Sequence, residues 1–187
     1  MASYVVKNAN TRLKFLYRKR DFLSFHTKKL LVMALIQCHF DYACCFWYHG
    51  ITKFWKDKLQ VTQNKLIRFV LNLGHMSHIG IEQFKVLNWL PVQKRVEQTT
   101  LCHVFKIKNG LAPEYMSENF IPFDTLHSYK TRSSESGCYI LPKVKGFGAK
   151  SFAFNACVLW NKLPSALRNI TSISTFKLSV KTHLLNM

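Results

Sequence analysis

Acidic side chains are rare in this chain of 187 residues: nine Asp and Glu stand against 27 Lys and Arg, a formal net charge of +18. They are also scattered, as Asp21, Asp41, Asp57, Asp124, Glu82, Glu97, Glu114, Glu118 and Glu135, with no Asp-Asp, Asp-x-Asp or Tyr-x-Asp-Asp. Two-metal phosphoryl transfer needs carboxylates gathered at one place to hold its cations. The scarcity therefore argues against polymerase or nuclease chemistry carried by this chain alone, and no catalytic residue is assigned.

Other signatures are missing too. None of the six cysteines (Cys38, Cys44, Cys45, Cys102, Cys138, Cys157) forms a C-x-x-C pair. Three of them fall in one apolar stretch, which suits buried free thiols in a reducing compartment better than a disulfide framework. His39, His49, His75 and His78 lie near these cysteines but without the paired short spacings of structural zinc, so no metal site is expected. Lys145-Gly146-Phe147-Gly148 lacks the strand-to-helix setting of a phosphate loop, and no cofactor is expected. The longest fully apolar run, 30–36, is far below the roughly 20 residues of a membrane span. The first residues contain no apolar secretory core. The expectation is an intracellular protein, nuclear or cytoplasmic, that neither is secreted nor enters a membrane.

What is abundant is positive charge and helical pattern. A surplus of this size implies a polyanionic partner, DNA, RNA or an RNA–DNA hybrid, held by its backbone and therefore largely independent of sequence. Residues 27–48 form the densest apolar segment, free of Gly and Pro. They read as one helix, capped by Thr27 and stopped by Gly50. Leu31, Leu35, Cys38, Tyr42 and Cys45 fall at spacings of three and four and form its stripe. A helix apolar on nearly all sides is expected to be the buried central post of the domain, with Leu35 and Trp47 inside. Its polar residues Gln37, His39 and Asp41 then need partners.

Around this post the pattern predicts further helices. Residues 7–25 read as a basic helix, with Leu13, Leu16 and Tyr17 on one side and Arg12, Lys14, Arg18, Lys19 and Arg20 as its charged surface. Residues 53–73 read as amphipathic: Trp55, Leu59, Thr62, Leu66, Phe69, Val70 and Leu73 face inward, and Lys56, Gln60, Gln63, Asn64 and Arg68 face outward. A helix face of Gln, Asn, Lys and Arg can hydrogen-bond phosphate and sugar oxygens. The candidate nucleic-acid contacts are thus Lys56, Gln60, Gln63, Asn64 and Arg68, together with Arg12, Arg18, Lys19 and Arg20. Short helices are expected at 79–89 and 113–120, and a longer one at 92–108 between Pro91 and Gly110 with Val92, Val96, Thr99, His103 and Ile107 inward. Residues 121–150, with two Pro, three Gly and the polar run 131–136, read as a linker with one short strand at 138–141. Helices follow at 151–163 and 175–186. The fold class is mainly α: a helical domain over 1–120, a linker over 121–150, and a small helical part over 151–187.

Several blocks in order along the chain resemble one family. They are Asn10-x-Arg12-Leu13-x-Phe15-Leu16-Tyr17-Arg18-Lys19; Ala34-Leu35-Ile36-x-x-His39-Phe40-Asp41-Tyr42-Ala43-Cys44; Leu59-Gln60-x-x-Gln63-Asn64-Lys65; Asn88-Trp89-Leu90-Pro91-Val92; His127-Ser128-Tyr129-Lys130-Thr131-Arg132; and Trp160-Asn161-x-Leu163-Pro164. Together they look like the segment downstream of the polymerase palm in jockey-like non-LTR retrotransposon reverse transcriptases. The resemblance implies a fragment, namely the thumb and C-terminal region, whose catalytic palm lies upstream. A thumb is a helical unit that holds the template–primer duplex. The family's catalytic motifs have no counterpart in this sequence, nor does the C-terminal zinc knuckle that some members carry, so enzymatic activity is not expected. The alternative reading is a structural or interaction module whose basic charge has no nucleic-acid role.

Overall fold

The computed structural model describes residues 1–123 and 137–186. It is mainly helical, with no strand among the described residues; their one bridge pairs Pro122 with Tyr139. Two compact units divide between Val96 and Glu97. This lies upstream of the expected boundary at 120, and the reason is local. Helix α7, Val92–Lys108, carries no Gly or Pro that would break it, and its first turn and its remainder belong to different cores.

The first unit begins with α1, Ala2–Tyr17, which buries Ala2, Val5, Ala9, Leu13 and Leu16 at spacings of three and four. Alanine at two of these positions lets α1 lie close against α5, Lys53–Val70. A single 3-10 turn, Arg20–Phe22, leads to Ser24. Ser24 caps α2, Phe25–Val32, by accepting the Thr27 N–H at 3.2 Å. The cap is therefore Ser24 and not Thr27.

The expected single post over 27–48 is broken into pieces. After α2 comes a wide π turn, Met33–Gln37, then α3, Cys38–Asp41. Tyr42 is extended and Ala43 left-handed (φ 48°), after which α4, Cys44–Trp47, and a 3-10 turn, Tyr48–Gly50, complete the segment. The direction changes by 41° between Phe25–Asp41 and Cys44–Gly50. Polar contacts hold the break. The Trp47 indole N–H donates to the Tyr42 carbonyl at 2.9 Å. Arg95 forks onto Asp41 through Nε and Nη2. The buried face is also not the expected one: Lys28, Val32, Ile36, Gln37, Phe40, Cys44 and Cys45 are buried, whereas Leu35 and Tyr42 are exposed and Trp47 is only half-buried. A left-handed alanine costs about 1–2 kcal/mol, which glycine does not incur. Ala43→Gly is therefore expected to raise stability by about 0.5–1 kcal/mol, after allowing for the extra freedom glycine gives the unfolded chain. Urea unfolding checks this, and a loss of stability would show that the left-handed turn is not populated.

The unit closes with α6, Ile81–Leu87, and the first turn of α7. Its core joins the α1 stripe to Val32, Ile36, Phe40, Leu59, Leu66, Ile67, Phe69, Val70, Phe84 and Trp89.

The second unit is organised around aromatic rings. Phe105 of α7 stacks on Phe176 at 4.5 Å between centroids, Phe176 meets Trp160 at 5.8 Å, and Trp160 meets Tyr139 at 6.2 Å. Trp160 lies on α8, Phe152–Lys162, capped by Ser151; Phe176 lies on the last helix, α10, Ile173–Asn186, after the short α9, Ser165–Arg168. Of the expected linker, 124–136 lies outside the described residues, including the block His127–Arg132 of the resemblance. Its flanks are tied into this core. Tyr139 is buried, its N–H donates to Asn161 Oδ1 at 2.9 Å, and Asn161 Nδ2 donates back to its carbonyl at 2.7 Å. The Trp160 indole donates to the Gly137 carbonyl at 3.0 Å. Asn161 therefore splints a single extended residue where a strand was expected.

Candidate nucleic-acid interface

The polar residues of α5 turn out to be occupied within the fold. Gln63 is buried and donates to the Leu90 carbonyl at 2.8 Å. Gln60 accepts the Val92 N–H at 3.0 Å and donates to Gln63 Oε1 at 3.0 Å and Asn64 Oδ1 at 2.9 Å. These amides clamp the Leu90-Pro91-Val92 link and satisfy a first-turn N–H of α7 that no helical carbonyl can reach. Arg68 donates through Nε to the Ser77 carbonyl at 2.9 Å. Lys56 is half-buried, its ammonium 5.1 Å from the Tyr48 ring centroid. Of the five expected contacts on α5, then, Gln63 is buried out of reach of a nucleic-acid backbone, and Gln60, Asn64 and Arg68 have partners inside the chain. The physical cause is that amides are polar in a periodicity count but can be buried when every donor and acceptor is paired.

The cations at the chain's start are placed differently. With the α1 stripe at Ala2, Val5, Ala9, Leu13 and Leu16, a turn of about 100° per residue puts Lys7, Lys14 and Arg18 on the opposite side. All three are exposed, as is Lys19 in the turn beyond the helix. Among the described residues, none of these four side chains makes a hydrogen bond or ion pair. Residues 1–20 contain no acid at all. Tyr4 and Phe15 flank this row, 60% and 63% exposed.

Arg12 and Arg20 are more constrained. Arg12 is exposed but donates through Nη1 to the Leu35 carbonyl. Arg20 donates to Asn72 Oδ1 at 3.2 Å, and its guanidinium lies 5.8 Å from the Tyr17 ring centroid. The structure thus gathers Arg18 and Lys19, adds Lys7, Lys14, Tyr4 and Phe15, and assigns Arg20 partly to the fold. The added residues were within reach of the sequence. Carrying the Leu13–Leu16 stripe back to Ala2, Val5 and Ala9 leaves Lys7, Lys14 and Arg18 on the opposite face.

Charge chemistry elsewhere in the unit is structural. Burial works against the charge of Arg95, but the hydrogen bonds and charge of Asp41 outweigh it and hold the guanidinium above its ordinary value. Burial, with neighbouring Cys44, pushes the Cys45 thiol up to about 11, so it is an inert thiol. Burial and Lys56 lower His49 below the usual imidazole range. Among the described residues no group of three or more His, Cys, Asp or Glu is placed to hold a metal ion, and no single helix is long and apolar enough to cross a membrane. Comparison with protein-family models, with curated proteins and with solved structures gave no match.

Proposed function

We propose that this chain holds a nucleic-acid backbone on the outer face of α1 and the turn after it, and that it is the non-catalytic thumb region of a non-LTR retrotransposon reverse transcriptase. The observation that carries the reading is the row Lys7, Lys14, Arg18 and Lys19, exposed, unpaired and free of any carboxylate on the same helix. Such a row attracts phosphates without reading bases. Tyr4 and Phe15 offer exposed rings beside it, of the kind on which bases or sugars pack. The reading places the partner's contacts on α1 instead of α5, and it assigns no bond-making step to the chain.

A second reading, a protein-interaction module, is favoured by one observation. Leu30, Met33, Leu35, Tyr42 and Phe46 are all exposed along α2 to α4. An apolar surface of this kind calls for a protein neighbour. Under the first proposal that neighbour is the polymerase palm, encoded upstream; under the second it is an unrelated protein.

The salt dependence of binding tests the first reading. Each phosphate contact contributes roughly 0.9 to the slope of log K against log salt on duplex DNA. Replacing Lys7, Lys14, Arg18 and Lys19 together by Gln is expected to lower the slope by about three to four, equally on every sequence and on RNA–DNA hybrid. Lys56→Gln should leave it unchanged. If the unaltered chain binds neither duplex nor hybrid at low salt, the nucleic-acid reading fails and the interaction module replaces it.

A further inference from the structure

We propose that the cleft between α7 and α10 in the second unit is a binding site for a phosphate dianion, held by Lys106 and Lys177 with His103, Thr99 and Gln98 around them. The proposal does not depend on the α1 interface, which belongs to the other unit.

The site arises from helical spacing. Gln98, Thr99, Cys102, His103 and Lys106 recur along α7 at steps of one, three, one and three, so they share one face. Ile173 and Lys177, four apart on α10, form the facing wall. The cleft between them has a volume of about 260 Å³. Pockets for drug-sized ligands start at roughly 300 Å³, so this one suits a single small group. Thr99 and His103, expected in the inner stripe of α7, are half-buried at this cleft, while Thr100, Leu101, Val104 and Phe105 fill the core behind them.

The chemistry of the lining has one sign. It comprises two ammoniums, an imidazole, a hydroxyl and an amide, with a thiol and one isoleucine side chain, and no carboxylate. Both lysines act on the same point. Burial raises the Cys102 thiol, while Lys177 and Lys106 pull it back down. Burial lowers His103, and Lys106 lowers it further. Thiol and imidazole are therefore neutral at pH 7, and the two lysine charges have no counter-charge in the lining. A doubly charged tetrahedral anion between the two ammoniums would supply it, with charge-assisted hydrogen bonds from both.

The walls are already in place. Gln98 Nε2 donates to the Lys177 carbonyl at 2.9 Å, joining α7 to α10 at the cleft. The His103 ring meets Phe152 edge-to-face at 6.2 Å, which fixes the orientation of the imidazole. A site held in this way loses little freedom on binding.

The anion has two sources, free phosphate or the phosphorylated end of a nucleic acid, and one experiment separates them. The His103 imidazole resonance of the full chain, assigned with His103→Gln, is followed by NMR at constant ionic strength. Three probes are compared: inorganic phosphate, a 5′-phosphorylated oligonucleotide, and the same oligonucleotide without its phosphate. Inorganic phosphate is expected to move the resonance saturably. Lys106→Gln with Lys177→Gln should weaken this binding by about tenfold or more, the range of one or two lost charge-assisted bonds. Lys7→Gln with Lys14→Gln should not alter it. Tighter binding of the 5′-phosphorylated oligonucleotide than of inorganic phosphate identifies a nucleic-acid end as the source; equal or weaker binding identifies the free anion. Both lysines are exposed, so their replacement leaves the core intact, and a matched melting temperature verifies this. The proposal is overturned if chloride moves His103 as far as phosphate does, if the double variant titrates like the parent, or if the unphosphorylated oligonucleotide moves His103 as inorganic phosphate does.

Discussion

Asn72→Gly is expected to cost the first unit about 2–3 kcal/mol, and Lys28→Met to abolish that cost. Lys28 is only 2% exposed, yet it carries an ammonium into the core beside Phe69, whose ring centroid lies 5.8 Å from Nζ. Among the described residues its ammonium has one hydrogen-bond acceptor, Asn72 Oδ1 at 2.6 Å. Removing an acceptor from a buried charged donor incurs the full desolvation cost of that donor, about 1–3 kcal/mol or more. Glycine is the informative replacement because Asn72 is left-handed (φ 54°), and an alanine there would add strain of its own. Methionine fills the space of the lysine stem without a charge, and exchanging a buried charge for an apolar group of similar volume is often neutral or stabilising. Chemical unfolding of the four proteins in this cycle gives the coupling. A cost for Asn72→Gly that persists in the Lys28→Met background would show that Asn72 acts through Arg20 or the backbone, and not through the lysine.

The second large effect lies on α5. Gln63→Ala is expected to lower stability by about 3 kcal/mol, through the cavity left by a fully buried side chain and through two orphaned groups. Those groups are the Leu90 carbonyl and one Gln60 N–H, and both lie at the link that starts α7. Asn64→Ala, half-buried at the edge of the same network, should cost less than about 1 kcal/mol. The two variants separate structure from binding. If Gln63 contacted a nucleic acid, its loss would alter affinity at little cost to folding; as a clamp, its loss lowers the melting temperature and leaves the salt slope of the folded protein unchanged. A cost below about 1 kcal/mol would show that Leu90 and Val92 are held by other means.

The helices with strong boundaries were legible in the sequence. Pro91 and Gly110 bracket α7 at 92–108, where it is found, and the 3.6-residue pattern places α5 within a few residues of its actual end. Two kinds of feature escaped the pattern. Gln63 counts as polar, and nothing local announces that its partner sits 27 residues away, at Leu90. The segment 27–48 failed for a geometric reason. Its buried residues Lys28, Val32, Ile36 and Phe40 are spaced by four, not by three and four. In a regular helix that spacing drifts by about 120° over the three steps, so a 3.6 count selects Leu31, Leu35 and Cys38 instead. Of the candidate site, Lys14, Arg18 and Lys19 stand out in the sequence as charged surface. The row they belong to does not, because a stripe counted from Leu13 stops short of Ala2, Val5 and Ala9 and so gives Lys7, Tyr4 and Phe15 no common side.

The wide turn at Met33–Gln37 also bears on how the length of this chain can vary. A π turn is one residue more than an α turn holds, absorbed without rotating the helix beyond it; with that residue discounted, the drift from Lys28 to Phe40 shrinks to about 20°. A deletion of one exposed residue here, Met33 or Ala34, would let the backbone close into an ordinary helix with Lys28 and Val32 on one side of the cut and Phe40 on the other still facing the core. The same deletion in α1 or α5 would swing half a helix away from its partners. Within this core, 33–37 is therefore the stretch where the chain can lose a residue and leave the rest of the bundle in register.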